Sequence, residues 1–425
     1  METYLLDWVN LLLRWAHVIV SIAWIGSSFY FVFLDSSLTR PTDPELKRKG
    51  VDGELWAVHG GGFYHPQKYL VAPKTLPEKL HWFFWESYST WLTGFVLFAV
   101  LYLFNANTFL IDRRVFDWSA ASAISAALGF LVVFWFVYDA LCRFFTGKPR
   151  GEELLGLAVA AVVVFAAWAA CQLFAGRAAF LLTGAMMATA MSANVLVWII
   201  PGQRKVIAQM KAGQAVDPIH GKRGKQRSVH NTYFTLPVLI AMLSNHYSML
   251  YQADHNWLWL VLLMLAGALI RHSFVARHRS LVEGRKVSWA HAALGTLIIA
   301  GVIAAMAPRG MPPAASVGSI ASSSAVVGSA GSSSGGVSPG GAGAGSPSTA
   351  GATSAPAAAA PGVQMVAEIM ERRCLACHNQ VLAQKGVALH TPELLARHAQ
   401  SVYQQVVITR QMPMSNATQM TEPER

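Results

Sequence analysis

Cys374-Leu375-Ala376-Cys377-His378 is a CxxCH run. Two thiols three residues apart can add to the two vinyl groups of one porphyrin, and the adjacent imidazole then reaches its iron, so the run reads as a covalent haem c site. A disulfide or half of a zinc site would use the same cysteines, but structural zinc takes four ligands and no second Cys pair follows. A sixth iron ligand is expected downstream, where Met412, Met414 and Met420 offer soft thioether sulfur. A second group of residues stands in or beside apolar segments, where an ionisable side chain is costly and is a functional candidate by default. Glu86, Ser89, Thr90 and Thr93 recur at i, i+3, i+4 and i+7, which places them on one helical face. His81 lies just before them. The preceding Gly60-Gly61-Gly62-Phe63-Tyr64-His65-Pro66-Gln67-Lys68-Tyr69 combines glycines that permit close backbone approach with a base, His65, and a cation, Lys68. These four, Glu86, His65, Lys68 and His81, are the catalytic candidates. His17 sits seven residues before Trp24, hence nearly on the same face, and reads either as a hydrogen-bonded core residue or as a metal ligand. His230 and His246 are about 24 Å apart if one helix joins them, too far to clamp one iron.

The elements that must hold these residues are membrane helices. With 54% hydrophobic and 13% charged residues the chain does not fit an ordinary soluble enzyme. Its apolar residues gather in blocks of about 20, the length that crosses a bilayer as helix. About eight spans are read, at 5–34, 82–104, 119–142, 154–175, 178–200, 232–251, 257–277 and 287–307. The net charge of +11 suggests no nucleic acid, because the Lys and Arg residues fall in alternate loops, 21 on one side against 4 on the other. By the positive-inside rule both termini face the periplasm, and His230, Arg271, His272, His291 and His81 lie toward the cytoplasmic ends of their spans. Cys142 and Cys171 are expected only to pack. The first block has no basic n-region or cleavage site and is read as an uncleaved span.

Residues 309–361 turn to Ala, Gly, Ser and Pro and read as a flexible tether. Helical patterns at 363–373 and 392–409 then flank a polar loop, as expected of a small domain over 362–425. The expected fold is thus all-α: a polytopic membrane bundle over 1–308 and a small C-terminal class I cytochrome c-like domain. Haem c is attached outside the cytoplasm, which agrees with the side that the loop charges give to the C-terminus.

The Gln411-Met412-Pro413-Met414-Ser415-Asn416 segment resembles the axial-ligand loop of class I cytochromes c, which favours Met412 over Met414 as distal ligand. Such a domain closes with a further helix, and the chain ends at Arg425 where that helix should begin, so a shortened domain or truncated chain is expected. Arg14 to Asp35, Gly60 to Tyr69, Leu80 to Gly94, His230 to Met249 and the CxxCH site together resemble the membrane-bound bacterial urate oxidases (urate hydroxylases, PuuD type) with a C-terminal cytochrome c domain. The resemblance implies oxidation of urate to 5-hydroxyisourate in the bacterial inner membrane, with electrons leaving through haem c toward a soluble cytochrome c or terminal oxidase. A cytoplasmic-side urate site and a periplasmic haem c would lie about 30 Å of hydrocarbon apart, so a non-covalent haem b relay is expected in the bundle. His17 is its first candidate ligand and His246 the second. The first span is also similar to the opening span of membrane protoporphyrinogen oxidases that bind haem through histidine. Two other readings remain: a haem c-linked oxidoreductase for quinol or another small reductant, which needs an opening to lipid, and a redox-sensing transporter, which inverted repeats would support.

Overall fold

The computed structural model describes residues 2–307, 361–380, 387–408, 410 and 412–425, so the tether expected at 309–361 lies almost wholly outside the described residues. The chain folds as helices. They are α1 (Glu2–Ser37), α2 (Pro44–Lys49), α3 (Trp85–Phe98), α4 (Ala106–Phe109), α5 (Ala120–Phe145), α6 (Gly151–Leu173) and α7 (Gly176–Ala193). After these come α8 (Ile200–Lys211), α9 (Pro218–Ser244), α10 (Ser248–Tyr251), α11 (Asn256–Val282), α12 (Ala290–Ala305), α13 (Pro361–Arg373) and α14 (Pro392–Tyr403). Five stretches are long and apolar enough to cross a membrane: Trp8–Ser37, Ala120–Phe145, Gly151–Leu173, Gly176–Lys211 and Asn256–Val282. The chain is a multi-pass membrane protein. The segment α7 packs against α5, α6 and α9, while α1 runs along α3 and α11, and α12 pairs with α11. Ala127, Ala167, Ala170, Ala178 and Ala179 are wholly buried where α5, α6 and α7 meet. Side chains this small let backbones approach closely where no water is available to drive association.

Two expected spans take another form. The helix placed at 232–251 begins well upstream, because Pro218 fits the first helical position and the Asp217 carboxylate accepts the Ile219 N–H at 2.9 Å. It also ends early. The Asn245 amide donates to the Met242 carbonyl at 2.6 Å, so His246 stands in a turn rather than on the helix of His230. Arg227, which reads as a loop charge, is therefore helical and only 2% exposed. The segment Asn194–Ile199 between α7 and α8 is a π-helical turn. Pro201 follows it, and a proline ring displaces the carbonyl four residues back and removes a donor, which loosens the ladder there.

The glycine-rich segment forms two small antiparallel ribbons, β1 (Val51–Glu54) with β4 (Gln67–Tyr69), and β2 (Ala57–His59) with β3 (Gly62–Tyr64). Gly60 and Gly61 have φ of 58° and 80°, as a two-residue hairpin turn of right-handed twist requires. Their conformational freedom serves the turn.

In the C-terminal part, Met370, Cys374 and Leu389 form a small buried cluster with Leu375, Leu395 and Val402 packed on it. The chain end folds back: Arg373 pairs with Glu424 at 3.0 Å, and Arg425 donates to the carbonyls of Val406 and Met412. The Thr421 backbone N–H and Arg373 together hold the Glu424 carboxyl at about 2.

Candidate functional site

A cavity of about 870 Å³ opens between α1, α3, α7 and α9. That lies within the range of small-molecule and cofactor sites, about 300–1,000 Å³. Its wall is mainly apolar, with a few polar groups: His17 and Arg14 from α1, Thr90 from α3, Arg177 from α7, and Asn245 and His246 from the turn after α9.

His17 is held in one tautomer. Thr93 Oγ1 gives its proton to the Ser89 carbonyl at 2.7 Å, so at 3.0 Å from His17 Nδ1 it accepts that ring's N–H. No partner for Nε2 is present among the described side chains. Gly94 makes this placement of the ring possible, since a Cβ there would lie 2.9 Å from His17 Cε1. His246 lines the same cavity but is exposed, at its mouth.

The polar face predicted on α3 divides in two. Ser89, Thr90 and Thr93 donate to the carbonyls of Trp85, Glu86 and Ser89, satisfying themselves on their own helix. Ser87 and Trp91 instead reach across to Ser192 and Thr189 and join α3 to α7. Glu86 does not pair with Arg271; its carboxylate forms no hydrogen bond or ion pair among the described residues. His65 stacks on Trp56 and bonds the Glu54 carboxylate at 2.6 Å. Lys68 pairs with Asp35, which Lys225 also approaches, and burial lowers the pKa of Lys68. His81 packs edge-on against Phe83. Each of these four is thus placed by its own neighbours: His65 and Lys68 on the ribbon, His81 just before α3 and Glu86 in its first turn, with no hydrogen bond or ion pair between any two of them among the described residues.

Sequence reading passed over a buried network at the far end of the bundle. Asp139 accepts from Arg227 Nη2 at 2.7 Å, Trp198 Nε1 at 2.8 Å and Arg143 Nε at 2.7 Å. Beside it, Asn194 donates to the Tyr138 oxygen at 3.0 Å, leaving the Tyr138 hydroxyl to donate to His230 Nδ1 at 2.8 Å. Cys142 is buried 3.7 Å from the same imidazole nitrogen. Asp139 is a lone acid in an apolar span, and that was the available signal.

Arg271 is a second buried guanidinium, 3% exposed, lying over the Phe29 ring at 3.7 Å. Unlike Arg227 it has no carboxylate partner among the described residues, and its Nε and Nη2 are unpaired. A desolvated cation–π contact contributes about 2 kcal/mol, less than the several kcal/mol that burying an ion costs.

At the CxxCH run, α13 ends in a turn in which the His378 N–H bonds the Cys374 carbonyl at 3.0 Å. His378 Nδ1 donates to the Val387 carbonyl at 2.8 Å, so Nε2 is again the nitrogen without a partner among the described residues. Ligating histidines usually donate their other N–H in this way, and the residues present fit a haem. Met412 and Met414 are half-buried, whereas Met420 is packed away at 1% exposure. The turn Met414–Asn416 packs on α4, and a second cleft of about 300 Å³ is lined by Arg114, Arg177 and His255 of the bundle with Arg410 and Arg425. Arg177 lines both cavities.

A polytopic helical bundle around a mainly apolar cavity with a few polar side chains on its wall defines a multi-pass membrane protein with room for a small molecule. Residues 3–307 match the family described as urate oxidase N-terminal, and the chain belongs to that family. Family membership points to an oxidoreductase with a role in urate oxidation. No curated protein and no solved structure gives a match.

Proposed function

We propose that this protein oxidises urate to 5-hydroxyisourate and passes the electrons outward to haem c. The observation that carries the reading is the pairing of family membership with two histidines, His17 and His378, each of which has its Nδ1–H engaged and its Nε2 free. The overall change converts a urate monoanion and one water into 5-hydroxyisourate, one proton and two electrons. Cys374 and Cys377 would attach haem c, and His378 and Met412 would hold its iron. His17 would hold a non-covalent haem b in the bundle cavity, with His246 at the mouth as the second candidate. These groups would supply one-electron acceptors and, through a soluble cytochrome c or a terminal oxidase, a link to the respiratory chain. Arg14 and Arg177 offer positive charge on the cavity wall, which would suit an anionic group of a bound molecule.

In this reading the bundle has eight spans, with α3, α9 and α12 joining the five long ones, and both termini are periplasmic in a bacterial inner membrane. Glu86, with its unpaired carboxylate, is the proton acceptor of choice, and His81 is its neighbour on the cytoplasmic side. His65 and Lys68 are committed to Glu54 and Asp35 and would act by holding the ribbon at the lip of the site. Because the electrons leave through haem, purified protein given urate in air should release no stoichiometric hydrogen peroxide. One peroxide per urate consumed would contradict the reading.

A further inference from the structure

We propose that the ribbon face carrying Trp56, Val58 and Phe63 docks on the bilayer surface beside α1, at the level of the lipid headgroups. The occupant is the membrane in which the bundle stands, and the contact steadies the ribbon from outside while His65 and Lys68 hold it from within.

Register defines the face. Ala57, Val58 and His59 stand opposite Tyr64, Phe63 and Gly62. Val58 and Phe63 therefore share one side of the ribbon, and the two-residue period adds Trp56 and His65 to it. Stacking of the Trp56 and His65 rings at 4.0 Å agrees with that placement. On this face Trp56 is 65%, Val58 71% and Phe63 78% exposed. An isolated two-stranded hairpin is marginal at best in water, so large apolar side chains left this open need an apolar cover.

Position identifies the cover. Asp35, in the last turn of α1, binds Lys68 of β4, and Thr39 exchanges backbone hydrogen bonds with Glu54 of β1 at 3.0 and 2.9 Å. Strand β1 presses so closely on the helix exit that a Cβ at Gly53 would lie 2.8 Å from Leu38 Cβ. Farther along the chain, Phe83 meets Phe31 at 4.9 Å, about 9 Å back along α1 from Ser37. Both ends of the segment are thus tied to the end of a span, where that span leaves the hydrocarbon. Seven residues lead from Gly53 to the turn at Gly60, at most about 23 Å of strand, so the whole face lies within that distance of the span.

Composition agrees with a lipid surface. Tryptophan is enriched at the headgroup level, where its apolar ring and its N–H are both accommodated. Lys47, Arg48 and Lys49, which close α2 just before β1, suit the anionic phosphates there. A second copy or a soluble partner of standard size would need about 20–30 residues a side, far more than this narrow face offers.

The test uses the full-length protein in vesicles of phosphatidylethanolamine and phosphatidylglycerol, with a polarity-sensitive fluorophore on Phe63→Cys. Unsubstituted protein treated alike gives the background from the other cysteines. The label is expected to emit to the blue of its emission in water, to lose its quenching by iodide present on both sides, and to be quenched by lipids carrying a nitroxide at the headgroup. The same label on Tyr64→Cys, on the opposite face, should stay open to iodide. If Phe63→Cys does not assemble, Val58→Cys takes its place with the same expectations. Open access of iodide to the label, with no quenching by nitroxide lipid, would overturn the proposal. Protection from both quenchers would overturn it too, and would assign the face to a protein partner or a second copy.

Discussion

Replacing His17 by Ala is expected to remove the proposed non-covalent haem from the bundle, leave the proposed covalent haem in place, and slow urate-driven reduction of that haem c at least on the order of 100-fold. The imidazole is the one nitrogen donor inside the cavity whose tautomer is fixed by a partner, Thr93 Oγ1 at 3.0 Å. Without it the proposed haem would have no comparable ligand among the described residues there, since His246 is exposed at the mouth. Thr93→Val should give a graded effect, because it keeps the imidazole and removes only the acceptor of its N–H; loss of such a partner typically costs about 10- to 100-fold in metal affinity. Gly94→Ala should shift the haem spectrum by driving a methyl group against His17 Cε1. A pyridine haemochrome assay separates b-type from c-type haem in each variant. A full complement of b-type haem in His17→Ala would exclude His17 as the ligand.

Asp139→Asn is expected to be the most destabilising substitution in the bundle. The exchange conserves shape and removes the charge that three donors, from Arg227, Trp198 and Arg143, converge on. Arg227 would be left buried without a counter-ion, and breaking a buried pair in this way costs about 3–5 kcal/mol. Reversible unfolding in mixed detergent micelles should register that loss. Adding Arg227→Met should recover part of it, because removing both partners abolishes the unpaired charge. An Asp139→Asn protein within about 1 kcal/mol of wild type would mean that water or a detergent headgroup reaches the arginine.

Much of this architecture is legible in the sequence for reasons that are local. Blocks of apolar residues have one solution in a bilayer, and the five long helices fall where those blocks stand. The CxxCH run is local too, and its helix α13 ends where the pattern places it. What local reading misses depends on partners far apart in the chain. Thr93 and His17 are 76 residues apart, and Tyr138 and His230 are 92 apart. Arg227 looks like one more member of a basic loop; only the Asp217-Pro218 start signal places it inside a helix, and only Asp139 explains why it is buried. Glu86 and Arg271 are opposite charges in apolar segments, yet they form no ion pair with each other. The glycines before His65 suggest a ligand loop, but their positive φ values build a hairpin.

The central claim, that urate is the electron donor to haem c through this chain, is tested most directly by a reduced-minus-oxidised spectrum of the purified, air-oxidised protein. It is recorded under argon before and after adding urate, with no quinol present. The account predicts that the c-type bands appear with urate, that urate is consumed in proportion to the haem reduced, and that quinol alone gives no such change. Haem that stays oxidised with urate and is reduced by quinol would contradict it.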